Sequence, residues 1–166
     1  QENKSFELLF PNAKYIVGKQ HWQHALSPHF RDRASFLPEL NERLKESGRL
    51  VLIEEDNKKS SLEGLAGVNF IFSQGHTPGL MVSEIATSAG SLVFTSDLIP
   101  GQYWVHLPIC MGYDRYPEAL IDEKQNLLTR LENQGARLFF THDATMPCAL
   151  VKKDERGRFF AEAAAL

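Results

Sequence analysis

The sequence predicts a layered α/β or α+β domain, and three observations carry that prediction. Short apolar runs bounded by glycine, proline or polar turns recur from residue 13 to residue 141. Stretches with leucines at helical spacing lie between them. At 166 residues, 43% hydrophobic and 23% charged, the chain has enough apolar material for one buried core. Strands mixed with helices bury their faces in layers.

Residues 13–17 read as a strand closed by Gly18. Residues 20–26 fit a short helix or a loop with aromatic anchors. Ser35 is placed to cap a helix over 36–47, with Pro38 in the first turn, where a missing N–H is tolerated. Leu37, Leu40 and Leu44 form its apolar stripe, and Gly48 its stop. Residues 49–53 and 68–72 read as buried strands, with the polar stretch 54–61 as a surface loop between them. Residues 81–87 and 92–95 flank Ser88-Ala89-Gly90, a hairpin pattern. The clearest helix covers 117–134, with Leu120, Ile121, Leu127, Leu128 and Leu131 on one face, Pro117 at its start and Gly135 at its stop. Residues 137–141 form a strand, and a hairpin about Arg156-Gly157 closes the domain. Ala163-Ala164-Ala165-Leu166 reads as a cloning remnant, so the domain is taken as residues 1–162.

Composition excludes several classes of function. A net charge of −3 and a pI of 6.1 give no electrostatic case for nucleic acid or anionic lipid. Lys58-Lys59 and Lys152-Lys153 are too sparse to track phosphates, which argues against a nuclease. No apolar run approaches the ~20 residues of a membrane span. Cys110 and Cys148 lack disulfide or metal spacing and read as buried thiols, with a reducing cytoplasm as the default location.

Three segments share one design, an apolar strand ending in a potential metal ligand. Residues 68–72 lead to Gln74-Gly75-His76-Thr77-Pro78-Gly79, where Gly75 permits close backbone approach and Pro78-Gly79 a tight turn. Residues 92–95 lead into Ser96-Asp97, and residues 137–141 into His142-Asp143. Two imidazoles and a carboxylate suit zinc, iron or manganese. The gaps of 21 and 45 positions are long, and a strand-terminal His or Asp commonly caps a turn, so the residues alone leave both readings open.

Taken in order, Gly75-His76-Thr77-Pro78-Gly79, Ser96-Asp97 and Thr141-His142-Asp143 resemble the later metal motifs of the metallo-β-lactamase superfamily. Phe10-Pro11-Asn12-Ala13-Lys14-Tyr15, Arg31-Asp32-Arg33-Ala34-Ser35-Phe36-Leu37 and Met111-Gly112-Tyr113-Asp114 resemble segments of its broad branch of hydroxyacylglutathione hydrolases and lactonases. The resemblance implies the C-terminal part of a four-layered αββα sandwich with two divalent metals, zinc first and manganese or iron as alternatives, at one edge. His76 would belong to the first metal, His142 to the second, and Asp97, the catalytic carboxylate, would bridge both. The implied activity is attack of a metal-bridged hydroxide on an ester, lactone or thioester carbonyl of a small molecule. Thr77, Ser96 and Asp143 would orient the ligands or simply serve their own turns.

Trp104, His106 and Tyr113 would contact substrate or cover the core. His21, His24 and His29 read as packing or surface residues. The superfamily's His-x-His-x-Asp-His cluster, source of the remaining ligands, is absent from this sequence. The expectation is therefore an inactive fragment that needs a complementing N-terminal piece or self-associates through an uncovered sheet face. The alternative is a non-catalytic, metal-free interaction module of the same fold.

Overall fold

The computed structural model describes residues 7–54 and 64–165. Except for Glu54, the expected surface loop at 54–61, with Lys58 and Lys59, lies outside the described residues. The chain divides into two units, Gln1–Glu55 and Asp56–Leu166.

In the first unit, β1 (Tyr15–Gly18) and β2 (Leu50–Ile53) pair in parallel, Tyr15 beside Leu50 and Gly18 beside Ile53. Parallel strands need a crossover. Here it consists of α1 (Lys19–Leu26), one 3-10 turn at Arg33–Ser35, and α2 (Pro38–Glu46). Residues 20–26 are thus helical, burying Trp22 and Ala25. A 2.8 Å contact between His24 Nε2 and Asp32 Oδ2 ties α1 to the following loop. The amide of Asn41 donates to the Ala25 carbonyl at 3.0 Å, tying α2 to α1. The rings of His21 and His24 pack on Phe36 at 5.7 and 5.5 Å.

Helix α2 begins later than a cap at Ser35 predicts. Ser35 ends the 3-10 turn, and Leu37 stands before the helix with φ −104° and ψ 107°. A proline ring clashes with a helical residue preceding it, so Pro38 sets the start and Leu37 is extended. The leucine stripe is also shallower than expected: Leu37 and Leu40 are exposed and Leu44 is half-buried.

The second unit holds a six-stranded sheet in sequential order: β3 (Val68–Ser73), β4 (Leu80–Thr87), β5 (Gly90–Phe94), β6 (Arg137–Phe139), β7 (Cys148–Lys153) and β8 (Phe159–Ala163). Every neighbour is antiparallel except β5 and β6, which are parallel and bridged by α3 (Pro117–Gln134). The helix stops where expected, with Gly135 at φ 63° and its N–H on the carbonyls of Leu131 and Glu132. Leu120, Leu127, Leu128 and Leu131 of α3 join Val82, Val93, Leu138, Ala149 and Val151 of the sheet in one core. Each such aliphatic side chain contributes about 1.5–3 kcal/mol on burial, so this layer is what holds the unit together.

The strand pleat puts Phe70, Phe94 and Phe139 on the opposite face. There Phe94 and Phe139 pack with ring centroids 6.0 Å apart, while Ile85 and Phe160 remain exposed. Ala163 and Ala164, set aside in the sequence reading, continue this architecture: Ala163 pairs with Ala149, and Ala164 donates its N–H to the Cys148 carbonyl at 3.1 Å. Cys148 is buried as expected, but Cys110 is exposed because it lies in the loop before α3 rather than in an element. No helix among the described residues is long and apolar enough to cross a membrane.

Strand direction decides where chemistry can gather. Strands β3 and β5 both run against β4, and β6 runs with β5. Their C-terminal ends therefore open on the same edge of the sheet, the usual place for a site in a mixed α/β layer.

Candidate metal centre

His76, Asp97 and His142 follow β3, β5 and β6 and converge at that edge. His76 Nε2 lies 3.5 Å from Asp97 Oδ2, and His142 Nε2 lies 3.1 Å from Asp97 Oδ1. One carboxylate thus faces two imidazoles, one oxygen to each.

Each loop is fixed by its own local physics. Gly75 must lack a side chain, because a Cβ there would stand 2.4 Å from the Leu120 backbone. The next turn closes by Leu80 N–H to the Thr77 carbonyl at 3.0 Å, with Pro78 and a positive φ of 76° at Gly79, the signature of a type II turn. Before Asp97, the hydroxyl of buried Thr95 donates to the Ile99 carbonyl at 2.6 Å, and Ser96 takes a left-handed φ of 49°. His142 hangs its N–H on the Pro100 carbonyl at 2.8 Å, which joins the second and third loops.

Three acidic side chains do the clamping. Glu123 of α3 accepts from the Ser73 hydroxyl at 2.6 Å and from the N–H groups of Gln74 and Gly75 at 2.7 and 3.2 Å. Asp114 meets His76 Nδ1 at 2.8 Å and accepts the Met111 N–H at 2.6 Å. Asp143 accepts the N–H groups of Gln102, Thr145 and Met146 at 2.9, 3.0 and 2.8 Å. Partial burial of Asp143 works to raise its carboxyl value, but the bonds from Gln102, Met146 and Thr145 outweigh it and hold the group at about 2.

The clamps formed by Glu123 and Asp114, and the supporting Lys124, escape a reading of the sequence because their partners lie 15 to 50 positions away. Lys124 did leave a signal, a charge inside the apolar stripe of α3. It is fully buried and donates to the carbonyls of His106, Leu107 and Ile109 at 3.1, 3.2 and 2.7 Å.

The donor set suits a divalent metal ion on one specific observation. Asp97 Oδ1 is buried yet makes no hydrogen bond, although His142 Nε2 stands 3.1 Å away. Two ligands of one tetrahedral zinc, each ~2.0–2.1 Å from it, stand roughly 3.3 Å apart. Both contacts match that separation. Among the described residues, no group of three or more His, Cys, Asp or Glu side chains is placed to hold a metal ion.

The candidate substrate residues separate. Tyr113 is exposed and sets its ring edge against His76, centroids 5.9 Å apart. His106 is half-buried, its carbonyl held by Lys124. Trp104 packs partly buried against the core, its Nε1 without a hydrogen-bond partner. Thr77 is buried at its turn.

No protein-family model matches the sequence, and no curated protein does. Solved structures do match. AidC, a dizinc quorum-quenching lactonase solved with the product N-hexnoyl-L-homoserine, gives a TM-score of 0.74 at 23% identity, over 96% of this chain and 57% of its own. AbOPH, a hydrolase in the beta lactamase superfamily, gives 0.73 at 17%, over 95% of this chain and 57% of its own. A protein from Staphylococcus aureus described as a probable metal-dependent hydrolase gives 0.76 at 21%, over 95% of this chain and 55% of its own. The chain therefore has the α+β fold of the C-terminal part of a metallo-β-lactamase domain, and it spans little more than half the length of these proteins.

Proposed function

We propose that the chain is the C-terminal part of a metal-dependent hydrolase of the metallo-β-lactamase superfamily, acting on the carbonyl of a lactone, ester or thioester. The observation that carries this reading is Asp97, with one oxygen toward each of two histidine Nε2 atoms and one of those oxygens buried without a hydrogen bond. The fold shared with a dizinc lactonase supports it.

In this reading His76, Asp97 and His142 would hold the divalent ions, each imidazole through its Nε2. Bound divalent ions, zinc first with manganese or iron as alternatives, would supply Lewis acidity toward water and the scissile carbonyl. Asp143 keeps the His142 loop locked to the loop after Asp97. Tyr113, whose ring lies edge-on to His76, would be the substrate contact beside it. One histidine and half a carboxylate fall short of the four ligands that zinc takes, so the reading assigns the missing ligands to a segment outside the described residues.

The test uses the product of the intact gene, loaded with zinc or manganese and offered lactones, aryl esters and glutathione thioesters. Turnover of at least one class is expected, and it should disappear when Asp97 becomes Asn. A metal-loaded protein inert on all three classes would end the proposal.

A further inference from the structure

We infer that Asp114 is the positioning residue for His76, fixing which ring nitrogen carries the proton and so which one is bare. This rests on the reading of His76 as a metal ligand. Asp114 is buried, with only 1% of its side chain exposed. Burying a carboxylate is costly unless it is fully engaged, and both oxygens are engaged, Oδ1 with His76 Nδ1 at 2.8 Å and Oδ2 with the Met111 N–H at 2.6 Å.

A carboxylate only accepts, so the short contact draws the imidazole proton to Nδ1. At the other end of the ring, Asp97 Oδ2 is 3.5 Å from Nε2 and competes poorly for that proton. Nε2 is left with its lone pair toward Asp97, the state a metal requires. The segment carrying Asp114 is itself pinned, since Arg115 N–H donates to the His76 carbonyl at 3.2 Å and Tyr116 N–H to that of Gly75 at 2.8 Å. Asp114 therefore acts through His76.

The experiment compares the full-length wild type with Asp114→Ala and Asp114→Asn. Asn keeps the volume should Ala fail to fold. Two readouts are taken: the His76 tautomer by nitrogen NMR of the metal-free protein, and zinc affinity by competition with a chromophoric chelator. Expected are an Nδ1–H tautomer in the wild type, a shift toward Nε2–H in the variants, and roughly 10–100-fold weaker zinc binding in them. An unchanged tautomer overturns the inference, as does a tautomer shift with unchanged zinc affinity. A wild type that binds no zinc at all overturns the underlying reading of the site, and this inference with it.

Discussion

Ser96 is the only non-glycine residue with positive φ among the described residues, and it immediately precedes Asp97. A left-handed conformation crowds an L residue's Cβ against the next carbonyl at a cost of roughly 1–2 kcal/mol, which glycine escapes. Strain of this kind collects where a side chain must be aimed rather than merely accommodated. Ser96→Gly is therefore expected to raise stability by about 1 kcal/mol, seen as a higher denaturant midpoint with an unchanged slope. A lowered midpoint would mean that the serine hydroxyl more than offsets the strain. The turn that carries His76 was legible in the sequence because it is local: Gly75 and Pro78-Gly79 each dictate backbone geometry within a few positions. Asp114 was quoted there only as part of a motif. Its partnership with His76 spans 38 positions and depends on how α3 and its preceding loop return across the sheet.

Among the elements, α3 shows how a periodic pattern can be read correctly and still hide its purpose. Its stripe and both ends were predicted because leucine spacing, Pro117 and Gly135 are local signals. The lysine within the stripe is explained only by tertiary structure, where it serves three carbonyls of the loop 106–109. Burial pushes its amine down to about 8, while the nearby charges of Cys110 and Asp114 act in the opposite direction. Lys124→Met fits the hydrocarbon stem but leaves those carbonyls unserved, and each buried acceptor so stranded costs about 1–3 kcal/mol. The expected outcome is faster hydrogen exchange across 106–111 with the middle of α3 still protected. Equal protection of the loop in variant and wild type would contradict it. Helix α2 taught the opposite lesson, since a plausible serine cap lost to the steric demand of Pro38 on the residue before it.

For the molecule as a whole, the layered class was legible because strand and helix periods are carried by the sequence itself. The clamps between loops were not, because they join residues brought together only by the order and direction of strands. Asp143 links two of those loops, and its effect is global. Its carboxyl is held at about 2 against an ordinary 3.8. A depressed carboxyl contributes stability that is complete above 3.8 and fades as pH falls through about 2. The stability gap between wild type and Asp143→Asn should accordingly stay constant above that window and close within it, as unfolding measurements across acid pH would show. A gap independent of pH would place the stabilisation elsewhere.

The common direction of β3, β5 and β6 has a practical corollary. The turns at Ser88-Ala89 and Glu155-Arg156 sit at the rim remote from the loops that carry His76, Asp97 and His142. A fused reporter, a dye or a surface anchor attached at either turn stands away from His76, Asp97 and His142.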